Sequence, residues 1–377
     1  MRRSRFTANT LCTVLVGLLA VVMGLSSSIA ETYAQERPTF RAMQDPVRVS
    51  VDPTYQFYQV ENDRTLTQFS TRVSAVIPLN SNVHVRAHGS YAQMNGDELV
   101  SVQGLTDMRG SFVYARSINE STLVAALDVN VPLGKQELTE AELETTRQVS
   151  QNFYGFRVSS FSRGFSAAPR VLWALPVTDD LVIGIGGSYQ HQRGYRPAAA
   201  MEAPYVPGDG FTLNTGFDYV LTSQSGLGMD LVFRRYGTDQ SDGVDRFNVG
   251  NQLAGSVRYL YRSGFTTIRV IARFANWEDS EFGFRSATEP ERGQVIPSHG
   301  MLMAQYQTRL AAGYRLMVRA SAHQYSKTVQ SDTQTLGRLR VAPSFALTDA
   351  LTLAPHGSVT FGSFTGVAAG IRVESRF

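Results

Sequence analysis

Along most of the chain, apolar and polar residues alternate with a period of two. Val83, Val85, Ala87, Gly89 and Tyr91 share one parity, while His84, Arg86, His88 and Ser90 share the other. The same register recurs in Leu123, Ala125, Leu127, Val129 and Val131 against Asp128 and Asn130, and in Leu227, Met229, Leu231 and Phe233 against Asp230 and Arg234. It returns in Thr266, Ile268, Val270, Ala272 and Phe274 against Arg269 and Arg273, and in Leu316, Val318 and Ala320 against Arg315, Arg319 and His323. Successive side chains of a strand point to opposite faces, so each segment reads as a strand with one apolar face. The segments run for roughly 10 to 14 residues, which suits a tilted strand crossing a bilayer better than the 5 or 6 residues usual in soluble sheets.

The connections alternate in length. Short turns fall at 78–82, 118–121, 176–180, 222–226, 262–264, 311–313 and 347–350. Longer polar connections lie between them, at 133–162, 194–208, 237–246 and 277–298. Short turns on one side and long loops on the other are the pattern of an outer-membrane barrel, with turns in the periplasm and loops outside. The expected fold is all-β: one antiparallel transmembrane β-barrel over 47–377, with sixteen strands and both termini in the periplasm. The count falls to fourteen if the hairpins at Glu61 to Arg64 and Gly362 to Gly366 do not form.

The first residues have a different character. Arg2, Arg3 and Arg5 precede an apolar run from Leu11 to Leu25 followed by small residues, so 1–34 reads as a signal peptide cut after Ala34. Residues 35–46 then form a short periplasmic segment. The only Cys, Cys12, lies in the signal, which excludes a disulfide framework from the mature chain. Such a cut removes three Arg and Glu31, leaving 32 basic against 31 acidic residues. With only Lys135 and Lys327 as lysines, nothing suggests a nucleic-acid partner.

The terminal residues Gly-Ile-Arg-Val-Glu-Ser-Arg-Phe place Ile371, Val373 and Phe377 on one parity. This resembles the C-terminal signal of bacterial outer-membrane barrels, which implies that Phe377 is read by the barrel-assembly machinery. Gly104-Leu105-Thr106-Asp107, the run Leu133 to Thr139 and the stretch Arg163 to Arg196 resemble transporter-like barrels linked to aromatic-compound degradation. That likeness implies a barrel fold and a transport role and names no substrate.

Inward parity in the second half collects Arg234, Arg258, Arg269, Arg273, Arg309, Arg315, Arg319, Arg338, Arg340 and Arg372 against Asp230 and Glu374 alone. Guanidinium stays protonated, and a narrow low-dielectric surround focuses its field, so these candidate pore-lining residues favour anions. In the first half, Arg48, Arg72, Arg86, Arg109 and Arg170 share the inner parity with Asp52, Asp107, Asp128 and Asp218, where pairing is expected. Tyr58, Tyr236 and Tyr325 are the inward aromatics nearest the outer end, and so candidates for touching a solute. Leu138 to Val149 has helical spacing and suits a short helix at the pore mouth.

Chemistry is otherwise sparse. His84 and His88 share a face but stand about 13 Å apart along a strand, too far for joint metal ligation. The expectation is no enzyme, no cofactor and no metal centre. The function that follows is passive passage of small solutes, biased toward anions, through the outer membrane, with lipid and lipopolysaccharide as surroundings. The alternative is a plugged, non-transporting surface barrel, adhesin-like or lipopolysaccharide-interacting, consistent with acidic outer loops such as Glu137 to Glu144 and Asp239 to Asp245.

Overall fold

In the computed structural model, residues 46–60, 63–282 and 291–377 are described. The expected signal peptide, Cys12 and nearly all of the 35–46 segment lie outside them. Strands β1 (Arg48–Gln59), β2 (Thr65–Pro78) and β3 (Val83–Gly96) begin the sheet. Its fourth position is shared by β4 (Leu99–Leu105) and β5 (Met108–Ile118), which pair with the upper and lower halves of β3. Then come β6 (Ser121–Val131), the helix α1 (Glu140–Val149), β7 (Ser166–Pro176), β8 (Leu181–Gln192), the short β9 (Tyr205–Val206), β10 (Gly210–Thr222) and β11 (Ser225–Tyr236). Short β12 (Asp239–Ser241) and β13 (Val244–Asn248) precede β14 (Gln252–Ser263) and β15 (Thr266–Trp277). Short β16 (Ser280–Phe282) and β17 (Glu291–Gly293) precede β18 (His299–Ala311), β19 (Tyr314–Tyr325), β20 (Gln334–Ala346), β21 (Leu351–Gly362) and β22 (Thr365–Arg376).

The long strands pair antiparallel with their sequence neighbours, and β22 closes on β1 from Arg48↔Arg376 to Gln59↔Thr365. With β4 and β5 as one position, the barrel has sixteen strands; both doubtful hairpins form, so the fourteen-strand alternative is ruled out. The ends lock together: Val47 and Phe377 exchange backbone hydrogen bonds of 3.1 and 2.9 Å. All seven expected short turns connect strands at one rim. In the turn between β5 and β6, Asn119 takes a left-handed φ of 55°, a conformation two-residue hairpins require and Asn tolerates. At the opposite rim β9, β12, β13, β16 and β17 build a separate five-stranded sheet from the long loops.

The burial pattern is that of a soluble sheet turned inside out. In β2, Gln68 and Ser70 are fully buried while Phe69 is 42% and Val73 48% exposed. Outward residues such as Tyr55, Phe112, Trp173, Ile185, Phe233, Val257 and Phe361 form an exposed apolar exterior that needs a lipid solvent. Several aromatics, among them Tyr91, Tyr189, Phe211, Tyr219 and Tyr259, lie on this exterior.

The core lies inside the barrel. Phe153, Tyr154, Phe156, Val158 and Phe161 of the connection between β6 and β7 pack against Tyr58, Leu66, Ala92, Met94, Val102, Tyr325 and Leu336 of the inner wall. Tyr58 meets Phe156 edge-on at 4.8 Å between ring centroids, an arrangement aromatic quadrupoles favour. This corrects the expectation for Tyr58 and Tyr325: at 4% and 5% exposure they are packed beneath the inserted segment rather than presented to a solute.

A charge on the exterior should be costly. Met229, outward on β11, sits near mid-strand. Met229→Arg should lower unfolding free energy in lipid vesicles by about 2 to 4 kcal/mol, read by urea titration. A change below about 0.5 kcal/mol, the scale of an ordinary surface substitution, would count against lipid contact there.

Candidate functional site

The connection from 132 to 165 enters the barrel because its backbone finds partners there. Asp107, at the break between β4 and β5, gathers both ends of the segment. Its Oδ1 accepts from the Gly134 N–H at 3.1 Å, and its Oδ2 from Asn130 Nδ2 and the Arg163 N–H, both at 2.7 Å. Gly134 is required here, since a Cβ would stand 1.9 Å from the Phe161 carbonyl oxygen. Further in, Gln68 bonds both backbone groups of Val158: its Nε2 donates to the carbonyl at 2.7 Å and its Oε1 accepts from the N–H at 2.9 Å. Gln56 treats Gly155 and Arg157 the same way, at 3.2 and 2.8 Å. Two inner-wall amides thus substitute for the sheet partner an irregular buried chain would otherwise lack.

Helix α1 occupies 140–149, inside the expected span. Thr139 and Glu142 form a reciprocal capping box, and Thr145 Oγ1 donates to the Val100 carbonyl at 2.8 Å, docking the helix on β4. Lys135 Nζ lies 2.5 Å from Glu142 Oε1, and that bond holds the Glu142 carboxyl below its ordinary range. The helix is fixed to the wall at the mouth.

The inserted segment brings one cation to the centre. Arg157 Nη2 lies 2.6 Å from Asp52 Oδ2 and its Nη1 donates to the Asp52 carbonyl at 2.8 Å. Arg372 Nε reaches the same carboxylate oxygen at 3.4 Å, and His356 Nε2 lies 3.8 Å from the other. Arg157 and Arg372 therefore pair with one buried carboxylate, with Arg72 and Arg340 in electrostatic reach of it and Arg319 beyond Arg340.

The ladder places all ten candidate arginines on the inner face, in unequal situations. Arg269 and Arg319 both stand opposite Gln305, and Arg319 also opposite Arg340. Arg338 donates to the carbonyls of Phe153 and Tyr154 at 2.6 and 2.8 Å, helping to seat the insertion. Arg234 bonds Gln252, and Arg273 stands opposite Ser256 and Met301. Arg258 is neutralised between Asp218 at 2.7 Å and Asp230 at 3.4 Å, while Glu374 pairs with Arg376. Arg309 and Arg315 face each other beside the 312–313 turn, where Arg309 lies over the Phe265 ring, so they belong to the rim rather than to a constriction. Among the described residues, only Arg258 and Arg372 of the ten have a carboxylate partner.

Arg157 is absent from the sequence-based set. Its signal was the apolar spacing of Phe153, Phe156, Val158 and Phe161 within an otherwise polar connection, which marks buried chain. His323 lies between two partners: its Nδ1 is 3.1 Å from His299 Nε2 and its Nε2 is 2.9 Å from Ser321 Oγ. This line of hydroxyl and imidazoles is closed in: Ser321 is 8% exposed, and cationic Arg338 faces both rings, the wrong charge beside a base that must become an imidazolium. Thr54 and Asp52 both approach Nε2 of His356, so no relay through its two ring nitrogens is made. Among the described residues no three His, Cys, Asp or Glu side chains group as metal ligands. The acidic loops are internally bonded: Glu144 to Arg147, Asp239 to Tyr205, Glu278 to Asn251 and Glu281 to Arg292. Glu289 lies outside the described residues.

A closed sixteen-stranded barrel with an apolar exterior and a segment folded into its interior is an architecture of the outer-membrane type. No protein-family model matches the chain, and no curated protein matches it. Among solved structures it is similar to the outer membrane protein OprD from Pseudomonas aeruginosa, at 12% identity over 93% of this chain and 97% of that one, TM-score 0.43. It is similar to the CymD monoaromatic hydrocarbon channel, at 12% identity over 89% of each chain, TM-score 0.46. CdiB from Acinetobacter baumannii matches at 8% identity over 86% of this chain and 60% of that one, TM-score 0.50. At such identities the likeness concerns fold.

The Asp107 anchor is testable. Asp107→Ala removes three bonds to one carboxylate, and charge-assisted bonds of this kind are worth about 1.5 to 3 kcal/mol each. In the detergent-solubilised folded barrel, trypsin should spare Arg157 and Arg163 in the wild type and cut there in the variant. Equal resistance would show that the insertion is held without Asp107.

Proposed function

We propose that this protein is an outer-membrane channel through which small solutes diffuse passively, and that its basic interior favours anions. The observation that carries this reading is the group Arg72, Arg157, Arg340 and Arg372 around the carboxylate of Asp52, with Arg319 next to Arg340. An anion passing such a group exchanges part of its hydration for guanidinium donors, which lowers the electrostatic barrier, while a cation meets a raised one. In this reading Arg269, Arg273, Arg319, Arg338, Arg340 and Arg372 act near the inserted segment. Arg234 lines the outer part, Arg258 is largely spent on its carboxylates, and Arg309 and Arg315 set the field at the opposite rim.

The remaining features fit an exported barrel. Residues 1–34 would direct export and be removed. Phe377, 77% exposed at the end of the closing strand, would be available to the barrel-assembly machinery. The exterior would contact lipid, and the outer loops lipopolysaccharide. The plugged surface barrel is the second reading, favoured by one observation: the inserted segment fills part of the interior with a packed aromatic core.

Planar bilayers separate the two. Under a KCl gradient the wild type should show discrete channels with a reversal potential biased toward chloride, and Arg319→Gln combined with Arg340→Gln should move it toward zero. Both positions lie away from the insertion's anchoring bonds, so folding should persist. A folded, silent wild type, or a potential indifferent to the substitutions, would overturn the proposal.

A further inference from the structure

Beside the tip of the inserted segment, His299 of β18 and His323 of β19 meet through their ring nitrogens, Nε2 of the first lying 3.1 Å from Nδ1 of the second. The ring centroids are 5.4 Å apart with 9° between the planes. That separation is about the largest that a 3.1 Å contact between ring nitrogens permits. The two imidazoles therefore meet edge to edge in nearly one plane, with a single proton between them, rather than face to face. We propose that this pair is an acid-sensitive latch: neutral, it holds the inserted segment against the wall, and protonated, it lets the segment loosen and widens the path. The effect on the path rests on the channel reading, and the effect on the segment does not.

The neutral pair is fully bonded. Ser321 Oγ lies 2.9 Å from His323 Nε2, and a hydroxyl donates or accepts, so either tautomer of His323 finds a partner at both ring nitrogens. The pair then reaches the segment by two routes. His299 stacks on Tyr325 at 4.3 Å and 13°, and the buried Tyr325 meets the Phe153 ring at 6.2 Å and 68°. The second route is Arg338, which stands opposite Ser321 in the ladder and whose Nη2 donates to the carbonyls of Phe153 and Tyr154 at 2.6 and 2.8 Å. The latch and the tip of the segment thus share one ring and one guanidinium.

Charge sets the direction. Among the described residues, the charged groups acting on His299 are Arg338 of β20 and Arg273 of β15, and Arg338 acts on His323 as well. Tyr325 of β19 and Tyr58 of β1 are the uncharged titratable neighbours on the side of the segment. These charges are all positive. A first added proton keeps the bond between the imidazoles but places a cation beside Arg338, which holds Phe153 and Tyr154. A second proton removes the bare nitrogen, so that two N–H groups face each other and the bond is lost. Both steps set like charges against the anchor of the segment. Holding is therefore present at neutral pH and is lost as pH falls, in the range where histidine changes charge.

Hydrogen–deuterium exchange of the folded full-length barrel in detergent, read by mass spectrometry over 150–160, tests the latch. Protection factors, which divide out the intrinsic chemical rate at each pH, should fall about tenfold in the wild type between pH 8 and pH 5. In His299→Gln combined with His323→Gln they should stay level, and His191→Gln, at an exposed histidine, should respond as the wild type does. Carboxylates such as Asp52 and Asp107 also titrate as acid is added, but they are intact in every protein compared, so only the loss that the histidine substitutions abolish counts for the latch. Heat-modifiable migration on gels confirms folding. Should the double substitution not fold, His299→Gln alone must lose less protection than the wild type, and an equal loss overturns the proposal. Single-channel conductance over the same range should become larger and noisier in acid for the wild type only. The latch is overturned if wild-type protection does not change, or if the doubly substituted barrel loses it equally. Histidine-dependent loss of protection in a silent barrel refutes the channel alone, and a conducting barrel whose protection stays level in acid refutes the latch alone.

Discussion

Everything in this structure depends on the closure of one hydrogen-bonded ladder. A strand in hydrocarbon has no water to satisfy its N–H and C=O groups, so a sheet there must have no free edge. The pairing of β22 with β1, finished by the mutual bonds of Val47 and Phe377, removes the last edge. Once the ladder closes, the pleat sends alternate side chains to lipid and to the interior. The two-residue period of the sequence is the imprint of that division.

Closure also creates a difficulty inside. A sixteen-stranded barrel encloses more space than its own polar side chains fill. Here part of that space is taken by the 132–165 segment, whose irregular backbone must be satisfied in its turn. Gln56, Gln68, Asp107 and Arg338 provide the partners, and the aromatic residues of the segment supply its burial. The segment places Arg157 against Asp52, beside Arg372 of the closing strand.

Strands, turns and side-chain facing were legible because each depends on neighbours in sequence. Alternation fixes parity, and Gly or Asn residues such as Asn119, Gly264 and Gly313 permit the turns. The interior arrangement was not legible, because it depends on pairs far apart in the chain: Gln68 with Val158, Asp52 with Arg157, Arg338 with Phe153. Parity alone placed Arg258 beside Arg269 as equals, though among the described residues the first is held by two carboxylates and the second by none. It likewise offered Tyr58 and Tyr325 to a solute, when each faces inward only to meet the inserted aromatics.

We propose that the wall amides of β1 and β2 hold the insertion and thereby set the width of the path. Single-channel conductance of the combined Gln56→Leu and Gln68→Leu variant tests this directly. Leucine keeps the volume but removes the wall amides' bonds to the backbone of Gly155, Arg157 and Val158, so the segment should loosen, with larger and noisier conductance than wild type. A folded variant with wild-type conductance and noise would contradict the claim.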